Sequence, residues 1–241
     1  MAADIWAGGD AYEAYVGRWS RVVAKEFVRD LEGARWLDVG CGTGALSAAI
    51  TKDVVGVDPS EAFVQKNPQP KVVGTGTELP FKDHSFDVVV SGLALNFMPD
   101  PQQGVTEMAR VARTGGTVAA YVWDYADGMQ LMRHFWDAVA DETRDEAARF
   151  PICHPVALAD AWRTAGLAAV TTGRIEIPTV FATFDDFWRP FLGGAGAAPG
   201  YLLSLPVHEQ ADLRERVRNR LPEGEIRLTA RAWTVRGSKI S

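Results

Sequence analysis

The sequence predicts a doubly wound α/β fold, and three observations carry that prediction. First, Trp36-Leu37-Asp38-Val39 is a short run that breaks into three glycines within five positions, Gly40, Gly42 and Gly44, ahead of a helix-competent stretch, Ala45 to Ile50. Strand, tight turn and helix start, in that order, present backbone N–H groups to a ligand. Second, short β-branched runs such as Val54 to Val57 and Phe86 to Val90 alternate with stretches of helical period, the pattern of a mostly parallel sheet. Third, Ile226, Leu228, Ala230 and Ala232 alternate with Arg227, Thr229 and Arg231, which suits a last strand with one covered face.

Length and composition narrow the function classes. The 241 residues suffice for one well-filled α/β domain with an insertion. A net charge of −6, with no run of lysines or arginines, argues against a nucleic-acid groove. No apolar run approaches the ~20 residues of a membrane span. Met1 to Asp10 lacks the charged-then-apolar order of a signal peptide. Cys41 and Cys153 are the only cysteines, and Cys41 lies inside the glycine turn, where a disulfide would compete with a ligand; a reduced, cytoplasmic protein is expected. The four histidines, His84, His134, His154 and His208, are scattered, so no metal site is expected.

Gly40-Cys41-Gly42-Thr43-Gly44-Ala45 fits the loose G-x-G-x-x-G/A dinucleotide pattern, a weak signal alone. Asp38 in the preceding strand sharpens it, because a nicotinamide site usually carries an apolar residue there. Val54 to Val57 then ends in Asp58, 18 residues beyond Gly40, near the spacing at which a carboxylate accepts from a ribose diol.

These residues, with Val57-Asp58-Pro59-Ser60, Leu79-Pro80-Phe81 and Ser85-Phe86-Asp87-Val88-Val89-Val90-Ser91, resemble the class I S-adenosylmethionine-dependent methyltransferases, most of all the ubiquinone/menaquinone-biosynthesis branch. The resemblance covers roughly residues 10 to 123. It implies a Rossmann-like, seven-stranded sheet with an antiparallel last strand and a helical cap. It also implies S-adenosyl-L-methionine as cofactor and a cofactor site built from Tyr15, Arg18, Trp19, Asp38, Gly40, Cys41, Gly42, Gly44, Asp58, Pro59, Ser60, Gly76, Thr77, Glu78, Ser91 and Leu93. Within Gly74-Thr75-Gly76-Thr77-Glu78 the family commonly places an acid against the adenine; here Thr75 stands in that position, and Glu78 is the nearest substitute.

Taken in order, Asp10 to about Asp30 predicts a first helix, with Asp10 and Glu13 as a capping box and Tyr12, Tyr15, Val16, Trp19 and Val23 on one face. A cation at Arg18 could pair with a carboxylate of the cofactor. Strands follow at 36–39, 54–57, 71–73, 86–90 and 117–122. A helix starts at Pro59-Ser60, and another has Val105, Met108, Ala109 and Ala112 on one face. Beyond residue 126 come a helix over about 128–147, another over 156–165 closed by Gly166, and a sixth strand from Leu167 to Ile177. Phe184, Phe187, Trp188 and Phe191 then run into a glycine-alanine loop at 193–200, the look of a hinged lid. One domain is expected, with 10–123 as cofactor-binding core and about 126–165 and 181–221 as helical cap or lid segments.

The chemistry implied is in-line methyl transfer to a small organic molecule, for which alignment and exclusion of water can supply much of the catalysis. Trp123, Trp136, Phe184, Phe187, Trp188 and Phe191 suggest an acceptor with an apolar or aromatic part. Asn96, Asp124 and Tyr125 follow strand carboxyl ends, and His134 lies in the covering region; these four are weak catalytic candidates, with no single base singled out. His84, before the fourth strand, is expected at the surface. A nicotinamide-dependent oxidoreductase and a non-catalytic S-adenosylmethionine-binding protein remain the alternatives, and a homodimer is left open.

Overall fold

The computed structural model describes residues 17–139, 145–193 and 196–240. The helix-capping residues Asp10 and Glu13, the expected ligand residue Tyr15, and Gly194 and Ala195 lie outside these. The described chain clusters into two compact units. The first takes in Ser20–Trp123, Ile152–Ile175 and 232–240; the second takes in 17–19, Asp124–Pro151 and Glu176–Arg231.

The first unit is built on strands β1 (Arg35–Val39), β2 (Asp53–Asp58), β3 (Lys71–Val73), β4 (Phe86–Gly92) and β5 (Ala112–Trp123), which with β6 (Leu167–Phe181) and β7 (Ile226–Lys239) form one seven-stranded sheet in the order β3-β2-β1-β4-β5-β7-β6. The first five strands pair in parallel, and β7 runs antiparallel to β5 with Ala119 opposite Arg236. Along β6 and β7 the contacts Thr171–Arg236 and Glu176–Arg231 run in opposite senses, so that pair is antiparallel too. The central strands have no polar face. Trp36, Leu37 and Val39 of β1 and Val88 to Val90 of β4 are buried, as strands covered on both faces require.

Helix α1 (Arg18–Val28) precedes β1, α2 (Glu61–Lys66) connects β2 to β3, and α3 (Pro101–Val111) connects β4 to β5. Asp100 caps α3 by accepting from Gln103 N at 3.0 Å, with Pro101 in the first turn where a missing N–H costs nothing. The apolar face read from the sequence, Val105, Met108, Ala109 and Ala112, is buried as expected. One expectation fails: Ala45–Ile50 forms no full helix, only a 3-10 turn at Ser47–Ala49. The connection from β1 to β2 is near the minimum length of a parallel crossover, leaving no room for more.

Numbering on, α4 (Gln130–Val139), α5 (Glu146–Arg149), α7 (Phe184–Trp188), α8 (Ala197–Ser204) and α9 (Val207–Arg218) lie in the second unit. Its core is the aromatic set of the sequence. Phe135 stacks on Phe191 at 4.8 Å, Trp188 packs on Phe191 at 5.5 Å, and Phe181 meets Phe187 edge-on at 5.3 Å. Helix α6 (Pro155–Thr164), expected within the cap stretch 126–165, belongs to the sheet unit. Trp162 Nε1 donates to Val118 O of β5 at 2.9 Å, and Gln102 of α3 donates to Ala161 O at 3.2 Å. The expected glycine-alanine loop at 193–200 is half helix, since α8 starts at Ala197 behind Gly196 at φ +100°, with Pro199 tolerated in its first turn. No helix among the described residues is long and apolar enough to cross a membrane.

Candidate functional site

The order β3-β2-β1-β4 places a topological switch between β1 and β4, where successive connections leave in opposite directions and a crevice opens at the strand carboxyl ends. The glycine turn occupies this place. Its N-terminal end is pinned to β2, because Gly40 N and Cys41 N both donate to Val57 O, at 2.8 and 3.1 Å.

The three glycines serve different ends. All have positive φ, +75° at Gly40, +50° at Gly42 and +92° at Gly44. A Cβ at Gly40 would collide with that of Ala94, and one at Gly44 would stand 2.6 Å from Asn67 Oδ1. A Cβ at Gly42 would meet nothing within 4 Å among the described residues. Two of the three therefore answer to packing, and Gly42 faces open space through which a ligand can approach the backbone.

Two carboxylates flank the turn. Asp58 ends β2 and is 7% exposed. Its Oδ2 accepts from Gly42 N and its Oδ1 from Ser60 N, each at 2.9 Å, so it holds the tip of the turn through both oxygens. Asp38 is wholly buried. Its Oδ2 accepts from Ser47 Oγ at 2.6 Å, whereas Oδ1 has no partner among the described residues. Burial, opposed by the Ser47 bonds and aided by the nearby Asp58 charge, pushes its carboxyl from 3.8 up to about 7. A buried carboxyl poised at neutrality with one oxygen unpartnered is suited to receive a positive group.

The other expected ligand residues distribute as follows. Cys41 packs its thiol beneath the turn against Gly56 of β2, and burial first, then the Asp38 charge, lifts it to about 12; it is a packing residue, not a nucleophile. Pro59 is exposed and Ser60 half-buried at the start of α2. Gly76 is buried, with Met98 and Val39 around it, and Thr77 is half-buried. Thr75 Oγ1 is engaged with Thr77, at 3.0 Å from its Oγ1 and 3.3 Å from its N, and Glu78 is exposed. Ser91 is wholly buried, its Oγ without a partner among the described residues. Leu93 adopts φ +58° and donates its N–H to Tyr121 O. Arg18 and Trp19 belong to the second unit; the guanidinium lies 4.4 Å over the Trp19 ring and 4.9 Å from that of Phe181.

The catalytic candidates separate. Asn96 sits in a 3-10 turn, Leu95–Phe97, directly after β4 in the sheet unit. Asp124 is not free: its Oδ2 accepts from Arg231 Nη1 at 2.9 Å and its Oδ1 from Asp127 N at 3.2 Å. Tyr125 is buried with its ring 5.5 Å from Phe150. His134 is half-buried on α4, and burial followed by the charge of Arg220 holds its imidazole below the usual value, against Asp137. His154 caps α6, its Nδ1 accepting from Val156 N at 3.3 Å, and His84 is exposed as expected.

Three residues of the site escape sequence reasoning. Ser47 was visible as the polar residue in an apolar run. Asn67, which fills the space under Gly44 and Gly56, carries no local sequence signal for that role. Glu107 accepts from Leu79 N at 2.8 Å and from Arg110 Nε at 2.6 Å, and Arg110 also binds the carbonyls of Leu79 and Phe81. That network braces the loop that carries Gly76 and Thr77, and only the α3 period hinted at it.

Comparison with known proteins gives concordant results. A family model described as "Methyltransferase domain" matches residues 37–120. A 2-methyl-6-phytyl-1,4-hydroquinone methyltransferase of Synechocystis is 31% identical over 179 residues, 68% of this chain and 56% of the relative. A demethylmenaquinone methyltransferase of Staphylococcus aureus is 39% identical over 115 residues, 42% of this chain and 47% of the relative. The chain thus spans about half the length of the curated relatives it matches. Among solved structures, the YcgJ protein of Bacillus subtilis shares the fold at a TM-score of 0.59 and 18% identity, covering 93% of this chain and 99% of that one. A phosphoethanolamine N-methyltransferase of Haemonchus contortus, in complex with S-adenosylhomocysteine, does so at 0.57 and 15%, covering 96% of this chain and 57% of that one.

Proposed function

Because the chain belongs to the class I S-adenosylmethionine-dependent methyltransferases, we propose that it methylates a small aromatic acceptor of the hydroquinone kind with S-adenosylmethionine as donor. The observation that carries this reading is the glycine turn at the β1/β4 switch, open at Gly42 and flanked by the carboxylates of Asp38 and Asp58. The acceptor class comes from the two curated relatives, both named for methylation of quinone-type rings.

When bound, S-adenosylmethionine supplies a methyl group on a sulfonium, activated for in-line displacement. The residues present fit such a ligand. Asp58 would present its carboxylate to a ribose diol while it holds Gly42 and Ser60. Asp38, with one oxygen unpartnered and its carboxyl raised to about 7, would take the positive end, whose charge would favour its ionised form. Backbone groups at Gly76 and the Thr77 carbonyl would take the base edge, since Thr75 Oγ1 is occupied with Thr77 N and Oγ1. Asp124 is held in an ion pair with Arg231, and alignment and exclusion of water can supply much of the catalysis. Cys41 and Cys153 are both buried and form no disulfide among the described residues, which suits a reduced, cytoplasmic setting.

The test is calorimetric. S-adenosylhomocysteine should bind the wild-type protein at micromolar concentration, and Asp58→Asn should weaken it at least tenfold. A wild-type protein that binds NADH and not S-adenosylhomocysteine would overturn the reading.

A further inference from the structure

Behind β4 the chain makes a single tight turn wedged between two loops of the site. Ala94 fills the space at Gly40 of the glycine turn. Met98 fills the space at Gly76 and at Gly104, its Sδ lying where a Gly104 Cβ would have to go. Asn96 lies between these two anchors, 6% exposed, and neither its Oδ1 nor its Nδ2 has a hydrogen-bond partner among the described residues.

A buried amide with both ends unmet is rare in native proteins, and each such group calls for a reason. Local structure offers none. Asn96 is not a helix cap, that place being taken by Ala94 without any side-chain bond, and it is not in the left-handed region where asparagine is favoured. Leucine is nearly isosteric and would pack there without the desolvation cost. An amide takes no proton at neutral pH, so a role as base is excluded too. What it offers is a donor and an acceptor side by side, the match for a hydroxyl that both gives and accepts a hydrogen bond.

Position chooses between the two ligands of the reaction. Asp58 lies at the end of β2, Asn96 just past the end of β4, and β1 runs between them. A nucleoside held at β2 therefore leaves the β4 side to the reacting end and its partner. Resting on the function proposed above, we propose that Asn96 is an acceptor-binding residue, its amide hydrogen-bonding a ring hydroxyl of the hydroquinone and orienting the ring without taking its proton.

The probes are S-adenosylhomocysteine and 2-methyl-1,4-hydroquinone, the latter titrated anaerobically into the protein saturated with the former. For Asn96→Leu the ligand-free melting temperature should hold or rise. S-adenosylhomocysteine affinity should stay within threefold, and hydroquinone affinity should fall at least tenfold. Asn96→Ser, which returns a hydroxyl to the place, should recover part of that loss and serves if the leucine variant does not fold. Equal hydroquinone affinity in wild type and Asn96→Leu overturns the assignment. So does a parallel loss of melting temperature and of both affinities, the mark of a structural role. A wild type that binds S-adenosylhomocysteine but not the hydroquinone sinks the acceptor class and this assignment while sparing the cofactor reading; binding of neither sinks both.

Discussion

Replacing Asp38 with asparagine should make the ligand-free protein more stable and the liganded protein poorer. Burial raises the Asp38 carboxyl from 3.8 to about 7, roughly three pH units at about 1.4 kcal/mol each, so holding the charged form costs the folded state about 4 kcal/mol above neutrality. The sign follows from which state keeps the proton. Below pH ~4 both folded and unfolded chains carry it and the cost vanishes; between ~4 and ~7 the unfolded chain ionises first and stability falls; above ~7 the loss is complete. The amide of the Asp38→Asn variant would still accept from Ser47 Oγ while offering no charge to desolvate.

The assay is urea unfolding of wild type and Asp38→Asn across pH 4.5 to 8.5, read as the difference between the two so that other titrating groups cancel. The curves should lie within about 1 kcal/mol of each other at pH 4.5 and separate toward pH 8, with the variant more stable by up to about 4 kcal/mol. For a chain of this length each kcal/mol is worth about 2–4 °C in Tm, so the gap is measurable by melting alone. Binding should move the other way. S-adenosylmethionine should bind Asp38→Asn more weakly, and wild-type binding near pH 7 should release a fraction of a proton, seen as a dependence on buffer ionisation enthalpy. A variant no more stable than wild type at pH 8 would refute the argument that burial without full pairing sets the state of this carboxyl.

Other outcomes follow from the same geometry. Gly40→Ala should destabilise strongly, because its Cβ has no space beside Ala94, whereas Gly42→Ala should cost only the left-handed backbone, about 1–2 kcal/mol, yet still impair S-adenosylhomocysteine binding; chemical denaturation and calorimetry on both separate packing from access. Glu107→Gln should lose about 1–3 kcal/mol at neutral pH. Arg110 holds the Glu107 carboxyl below its usual value, so the deficit should shrink as pH falls through that lowered value, which denaturation at pH 7 and pH 3 would reveal. Glu146, buried in the second unit and bonded to Trp136 Nε1, is raised by burial to about 7; its ionisation should lower stability as pH climbs from ~4.5 to ~7, and Glu146→Gln should remove that slope along with the matching step in tryptophan fluorescence.

Much of the sheet unit was legible because its signals are local. A run such as Phe86 to Val90 is buried whatever surrounds it, and three glycines after an apolar run leave few backbone options. The misreadings share a cause, in that tertiary contacts outvoted local pattern. Residues 193–200 looked like a loop from their glycines, but Pro199 and Gly200 are tolerated inside the first turn of α8, whose Ala198 and Leu202 are buried. Helix α6 looked like part of the cap because it follows the cap in sequence, and tertiary contacts, the Trp162 bond to Val118 and the Gln102 bond to Ala161, reveal its allegiance. Asp124, one of four weak candidates and chosen for its place at a strand end, has a partner that local pattern hides, Arg231, 107 residues away.

The short connection between β1 and β2 explains why the site leans on side chains that pattern reading treated as ligand contacts alone. A full helix after the turn would hold its glycines through a ladder of backbone bonds, whereas here a 3-10 turn of three residues follows, with Ala48 N bonded to Gly44 O at 2.9 Å. Beyond the backbone bonds of Gly40, Cys41 and Gly44, restraint comes from the carboxylate of Asp58 on Gly42 N and from the Asn67 amide beneath Gly44. Asp58 therefore acts twice, as the strut of the turn and as the proposed partner of a ribose. Removing its carboxylate should loosen the turn before any ligand arrives, so Asp58→Ala should speed amide exchange at Gly42 in the ligand-free protein, and Asp58→Asn, which keeps one acceptor, should do so less. Unchanged exchange in both would mean that the turn stands without its carboxylate.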